Sequence, residues 1–283
     1  MINILLPTDF SETSKNAIIY ATKLYPNKPC NFFIVFINSN GLQYFQKPVH
    51  LLGTNLLVEK SSISVDEMLL ELETDLKTLP TLHKNHQLSV FQIKNTFLNS
   101  IRNLINTHKI DLILMGTKGA STLKELFMGS STGDVITKVE CNVLAIPNKV
   151  SFKRFTTVVF ATDLTLDYPD KIYENLKNFL DSKEIDIHLL HVSYPNKTLT
   201  NKQNLNKAAI IDRLSNLFNK TVNFSTVYHK NVEDAIRIFS QSVHANLIVM
   251  VSKNYGFFQK QFLDTTVEEV GFETKIPLLS LQS

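Results

Sequence analysis

The sequence predicts an α/β protein built of two tandem doubly wound units, each with an about five-stranded parallel sheet and helices on both faces. Three observations predict it. Short apolar runs without polar alternation recur between amphipathic segments, which suits strands covered on both faces. The second half repeats motifs of the first at fixed offsets. The length, 283 residues, is that of two domains at about 100–200 residues each.

The repeat is direct. Asp111-Leu-Ile-Leu-Met-Gly-Thr-Lys-Gly119 reappears 135 positions later as Asn246-Leu-Ile-Val-Met-Val-Ser-Lys-Asn254. The same offset sets Phe97–Ile101 against Val232–Ile236, and Val143-Leu144 against Leu278-Leu279. The opening Ile4-Leu-Leu-Pro-Thr-Asp-Phe-Ser11 reappears 154 positions later as Val158-Val-Phe-Ala-Thr-Asp-Leu-Thr165. The first half therefore carries 19 extra residues between its early and late parts. Residues 39–65, with Gly41, Pro48, Gly53 and no clean period, read as a longer connection after the second strand. The units are expected at 1–148 and 153–283, joined by a short polar segment after Pro147. So short a join implies halves packed together.

In order, the first half offers strands at Ile2–Leu6, Phe32–Ile37, Ser89–Ile93, Leu112–Met115 and Val143–Ile146. Between them, Ser14–Leu24 places Ala17, Ile18, Ala21 and Leu24 on one helical stripe. Phe97–Thr107 does the same with Ile101, Leu104 and Ile105, and Gly133–Val139 reads as a helix. Strands alternating with helices give parallel sheets with right-handed crossovers. Ligands then sit beyond the carboxyl ends of the strands, at a switch point. Function is expected just after Leu6, Ile37 and Met115.

Composition narrows the class. Hydrophobic residues are 43% and charged residues 19%, as in a globular chain with a sizeable core. The net charge is +3 and no basic run occurs, which disfavours nucleic acid. No stretch reaches the roughly 18 apolar residues of a membrane span, and the first residues lack the features of a signal peptide. A cytoplasmic location is the expectation. The two cysteines, Cys30 and Cys141, read as buried free thiols.

The chemistry gathers after Leu112–Met115. Gly116-Thr-Lys-Gly119 is followed by nine residues and then by Gly129-Ser130-Ser131-Thr132. Glycines let backbone approach an anion and permit positive φ. The unpaired N–H groups and dipole of the following helix favour that anion. Ser130, Ser131 and Thr132 add hydroxyl donors, and Ser131 with Asp134 has the spacing of a capping box. The plain alternative is an ordinary turn with a helix cap. Neither a Walker loop nor a G-x-G-x-x-G fingerprint is present.

Gly-x2-Gly-x9-Gly-Ser after a fourth strand resembles the ATP-binding signature of the universal stress protein family, and Gly116, Gly119, Gly129 and Ser130 match it without a gap. Pro7-Thr8-Asp9 resembles the family's first-strand end. Cys141-Asn142-Val143 resembles its Cys-Pro-Val, with Asn142 in place of proline. The resemblance covers both halves and implies the tandem form. It implies that Pro7, Thr8 and Asp9 meet the adenosine, and that Ile37 supplies an aliphatic contact to adenine. Met115 and Gly116 would line the same pocket, and Gly119, Gly129 and Ser130 to Thr132 would hold the phosphates. The implied cofactor is ATP, with Mg2+ held by Asp9 left open. The plain alternative for Asp9 is a helix cap or an Asx turn. The resemblance also implies that the halves pair through Val143–Ile146 and Leu278–Leu281, covering each other's edge. A homodimer stays open as well.

The second half departs from the signature. Val251, Asn254 and Asp264 stand where Gly116, Gly119 and Gly129 stand in the first. Val251 resists positive φ. A carboxylate at Asp264 would face a phosphate at a cost of roughly 4 kcal/mol for unit charges about 4 Å apart at an effective dielectric of about 20. Thr265, Thr266 and Asp163 survive as helix caps and turn residues. The expectation is one nucleotide per chain, in the first half.

Other constellations carry less. His188 and His191 fall on a strand, where residues three apart face opposite sides. His83 and His86 show no third metal ligand nearby. Gly129-Ser-Ser-Thr-Gly133 is not a hydrolase elbow. Lys118 and Lys124 read as solvated loop lysines, and Phe257, Phe258 and Phe262 as packing. No residue is assigned a catalytic or metal-binding role. The favoured function is an ATP-binding stress-response regulator without fast turnover. The alternatives are a non-nucleotide interaction or scaffold protein of the same fold, or a slow ATPase.

Overall fold

Strand β1 (Ile2–Thr8) is covered on both faces, with Ile4, Leu5 and Leu6 fully buried, and the first five-strand set is arranged around it. The computed structural model describes residues 1–39, 41, 43–50, 57–117, 130–180, 184–195, 197–252 and 275–282, without the side chains of 44–50, 57–62 and 130. After β1 come α1 (Glu12–Leu24), β2 (Cys30–Ile37), β3 (Tyr44–His50), β4 (Leu57–Ser64) and α2 (Val65–Lys77). Then follow β5 (His86–Ile93), α3 (Phe97–His108), β6 (Leu112–Gly116), α4 (Ser130–Lys138) and β7 (Asn142–Ile146). The remaining elements are β8 (Thr157–Ala161), α5 (Asp170–Leu180), β9 (Asp186–Ser193), α6 (Asn201–Phe218) and β10 (Asn223–Tyr228). The chain closes with α7 (Val232–Ser242), β11 (Leu247–Val251) and β12 (Leu278–Leu281).

Ten strands form one mixed sheet in the order β10-β9-β8-β11-β12-β7-β6-β1-β2-β5. Within each set of five the neighbours are parallel, and the two sets have the same internal order. They meet where β12 runs antiparallel to β7, with Leu278 opposite Ala145 and Leu279 opposite Leu144.

Side-chain parity sorts the core into two layers. Ile4, Leu6, Phe32, Ile34, Leu112 and Leu114 pack with Ala17, Ile18 and Ala21 of α1 and Leu72 and Leu76 of α2. Leu5, Val35, Ile113 and Met115 pack with Ile101 and Leu104 of α3 and Val135 and Ile136 of α4. A fully buried side chain of this kind contributes about 1.5–3 kcal/mol, so continuous apolar strands are what this two-sided cover demands.

Several helices begin at a polar side chain. Ser11 caps α1 by accepting from the Ser14 N–H at 3.2 Å. Ser64 with Glu67 and Thr200 with Gln203 form complete capping boxes on α2 and α6. The box expected at Ser131 and Asp134 does not form. The described part of α4 already includes Ser130 and Ser131, ahead of the Gly133 start that its pattern suggests. Asp134 instead pairs with Lys138 one turn on, at 2.6 Å.

The stretch expected as a plain connection contains an antiparallel hairpin. β3 pairs with β4, Tyr44 opposite Ser64, with an irregularity between Pro48 and His50. A proline fits because this ribbon has only two strands, so each has an edge without a ladder partner. Among the described residues no helix is long and apolar enough to cross a membrane.

Candidate functional site

The sheet opens at its switch point. β1 pairs with β2 along its whole length, to Thr8↔Phe36, and β6 pairs with β7 to Gly116↔Ile146. Between β1 and β6 the register holds only Ile4↔Leu112 and Leu5↔Ile113. Pro7 accounts for the parting. The Ile2 N–H points towards β2, bonding the Pro29 carbonyl at 2.9 Å, and the Asn3 N–H points the other way, to Asp111 Oδ2 at 2.8 Å. Alternation puts the nitrogen of Pro7 on the β6 side, where proline has no hydrogen to give. The equivalent residue in the second set is Ala161. There β8 and β11 keep one more rung, Phe160↔Val249.

The turn after β1 is built from short polar side chains. Asp9 Oδ1 accepts from the Ser11 N–H at 3.1 Å and from the Ser11 hydroxyl at 2.6 Å, an Asx turn. Thr8 Oγ1 accepts from the Phe10 N–H at 3.1 Å and lies 3.1 Å from Ser14 Oγ. Phe10 takes φ 61°, the left-handed conformation that this pair of side-chain bonds stabilises. Asp9 thus serves the turn with one carboxylate oxygen.

Gly116 ends β6 against the start of α1. A Cβ there would overlap the Thr13 methyl and lie 3.1 Å from the Thr13 carbonyl oxygen. The glycine is required by this close approach, not by a positive φ. Thr132, in the first turn of α4, is turned inward. It is 2% exposed, and its hydroxyl donates to the Gly116 carbonyl at 2.8 Å. Its proton is therefore committed inside the fold, while its bond seats the start of α4 over the end of β6.

The sheet brings the other expected residues to the same rim, on two faces. Pro7, Ile37 and Met115 share the α3/α4 side by parity, whereas Thr8 and Gly116 share the α1 side. Met115 is 6% exposed and belongs to the core beside Val35 and Val135. Ile37 is half-buried at the end of β2, opposite Ile93. Ser131 is exposed. Gly119, Gly129, Lys118 and Lys124 lie outside the described residues, as do Asn254, Asp264, Thr265, Thr266 and the phenylalanines 257, 258 and 262.

The second set repeats the first turn closely. Asp163 Oδ1 accepts from the Thr165 N–H at 2.9 Å and its hydroxyl at 2.8 Å, and Leu164 takes φ 61°. Here the turn is strapped down. Gln203 donates to the Asp163 carbonyl at 3.0 Å, Asn206 donates to the Leu164 carbonyl at 2.8 Å, and His191 Nδ1 lies 3.1 Å from the Thr162 carbonyl oxygen. Helix α5 starts seven residues after Asp163, where α1 starts three after Asp9, and it packs towards β12 and α6. Among the described residues no helix start is then set against the end of β11, and the Val251 side chain is buried at 4% exposure.

The histidines and cysteines serve the core. His188 meets Phe239 on one face of β9, while His191 is buried on the other. His86 begins β5 as a buried residue. Its Nδ1 accepts from the His83 N–H at 3.2 Å, and Nε2 lies 3.1 Å from the Tyr25 carbonyl oxygen. Cys30 and Cys141 are free and buried, and burial pushes their thiols up to about 11 and about 12.

A doubly wound sheet whose first and fourth parallel strands part towards their carboxyl ends defines an α/β fold of the class in which such a switch point is the usual place for a ligand. The sequence model of the Universal stress protein family matches residues 1–147, just over half the chain. The chain belongs to the universal stress protein family. A universal stress protein of Methanocaldococcus jannaschii is 27% identical over 157 residues, covering 52% of this chain and 96% of that protein. Type I restriction enzyme endonuclease subunits of Staphylococcus aureus are 29% identical over 128 residues, a match spanning 40% of this chain and 13% of their length. Among solved structures, a universal stress protein from Archaeoglobus fulgidus superposes with a TM-score of 0.62 at 16% identity, over 99% of this chain and 98% of that one. A putative universal stress protein from Pseudomonas aeruginosa gives 0.57 at 11% identity, over 99% and 92%. At these identities the structural likeness is one of fold.

Proposed function

We propose that the chain is a stress-response regulator that binds ATP, or another adenine nucleotide, at the carboxyl rim between β1 and β6, without fast turnover. The observation that carries the reading is the parting of β1 from β6 at Pro7, under a helix start that Thr132 ties to Gly116. In this reading Pro7, Thr8, Asp9 and Ile37 take the adenosine, with Met115 and Gly116 behind it. Gly119, Gly129, Ser130 and Ser131 present backbone and hydroxyl donors to the phosphates, with Thr132 holding α4 in place. A Mg2+ accompanying the nucleotide would be held by Asp9 and the phosphates, since Mg2+ is commonly bound by one or two carboxylates plus phosphate oxygens.

We further propose that residues 1–148 and 153–283 are two units and that only the first binds nucleotide in this way. The straps from Gln203, Asn206 and His191, and the valine at 251, support that reading. Calorimetry with ATP is expected to give a stoichiometry near one. A value near two would mean that the second crevice is open. Gly129→Asp copies the residue of the second half into the first, and is expected to weaken ATP by about several hundredfold, from the roughly 4 kcal/mol repulsion of nearby unit charges. Adenosine should be little affected. Unchanged ATP affinity in a folded Gly129→Asp protein would remove the glycine loop from the binding site.

A further inference from the structure

A second concavity shares no lining residue with the crevice. It is a cleft of about 670 Å3 between α1, residues 149–153, the end of α7 and the residues leading into β12. That is within the usual size of small-molecule sites, roughly 300–1,000 Å3. Lys149, Lys153 and Lys275 line it with His244, and no carboxylate does among the described residues. None of the three lysines has an ion-pair partner there. The cleft thus gathers three ammonium groups that no described carboxylate neutralises.

A buried polar group also opens on the cleft. Tyr20 lines it while being only 2% exposed, its ring packed edge-on against Phe152 at 5.1 Å between centroids. Its hydroxyl makes no hydrogen bond among the described residues. Burial pushes this phenol up, so it stays protonated and able to donate. One feature opposes an anion, the carbonyl end of α7. That end amounts to about half a negative charge, and its last carbonyls are already used, those of Phe239, Ser240 and Gln241 accepting from Val243, Ala245 and His244. Three full positive charges outweigh it.

We propose that this cleft binds a compact polyanion carrying two or more phosphate groups, held by Lys149, Lys153 and Lys275 with the Tyr20 hydroxyl as a neutral donor. Lysine suits phosphate as a point charge on a flexible stem, without the planar geometry that arginine imposes. The proposal does not depend on the nucleotide reading of the β1–β6 crevice.

The test is calorimetric titration of the full chain with inorganic tripolyphosphate, repeated in the Gly129→Asp background so that phosphate binding at the glycine loop is separated. Changing Lys149, Lys153 and Lys275 together to Gln should weaken tripolyphosphate by about tenfold or more, from three exposed charge contacts converging on one ligand. A control triple change of the exposed Lys84, Lys94 and Lys230 to Gln has the same effect on net charge and should leave affinity within about twofold. Tyr20→Phe keeps the ring and its packing, and should weaken binding by about threefold or more, with the melting temperature of the free protein unchanged. Binding in the wild type should also fall as salt rises above about 0.1 M. Absence of lysine-dependent binding, or an equal loss in both triple variants, would overturn the proposal. A Tyr20→Phe protein that binds as well as the wild type would remove the hydroxyl from it.

Discussion

Gly116 shows how one hydrogen atom in place of a methyl can decide a packing arrangement. A side chain there would drive into Thr13 at the start of α1. Gly116→Ala is therefore expected to lower stability by about 1–3 kcal/mol, the usual cost of overpacking. Thr13→Ser removes the nearest obstructing atom, so the double variant should recover part of the loss. Denaturant melts of the two singles and the double measure the coupling; additive losses would mean that the two residues do not meet. At the same scale, His86 and His191 are both held below the ordinary histidine value of 6.5, chiefly by burial. The folded chain keeps them neutral, so their contribution is fully present above about pH 6.5 and falls as acid protonates the unfolded chain first. Melting temperature should drop between about pH 7 and about pH 5.5. His191→Asn, which places an amide near the position of Nδ1, should reduce that drop. An identical drop would show that other groups carry it.

At the scale of elements, the rim depends on where ladders stop. β1 leaves β6 at the position where Pro7 offers no hydrogen, and β8 stays with β11 one rung longer, with Ala161 in its place. Pro7→Ala restores a donor pointed at β6. The expected result is a newly protected amide at residue 7 in hydrogen exchange, together with weaker ATP binding as the crevice narrows. A residue-7 amide that exchanges like an open loop would show that the parting has another cause. The displacement of α5 relative to α1 is the other deciding element. It removes the close contact that demands glycine in the first set, and so removes one constraint against Val251.

At the scale of the molecule, the two sets share one sheet and bury apolar strands where β7 meets β12. Residues 1–148 and 153–283 expressed separately should each be less stable than the whole chain, or self-associate through the uncovered strand. Two soluble monomers as stable as the full protein would show that the halves do not need each other. Much of this architecture was legible, because strands buried on both faces leave continuous apolar runs and because a repeat exposes itself at a constant offset. What escaped depended on contacts between distant residues. Helix α4 is tied through Thr132 to Gly116, a bond across sixteen positions. The hairpin of β3 and β4 has little apolar alternation to betray it. The straps of Gln203 and Asn206 come from a helix that local pattern alone cannot aim at a turn forty residues away. The role of Pro7 was available in principle, since a proline near the end of a central strand implies a missing rung.

The seam between β7 and β12 gives the molecule a direction. Strand polarity reverses once across the ten-stranded sheet, and only there. The carboxyl ends of the first five strands and of the last five therefore emerge on opposite rims. Anything that approaches one rim meets the open crevice beside Pro7, and anything that approaches the other meets the strapped turn at Asp163. The chain thus has a front and a back, and a partner that reads both rims alike would find them unequal.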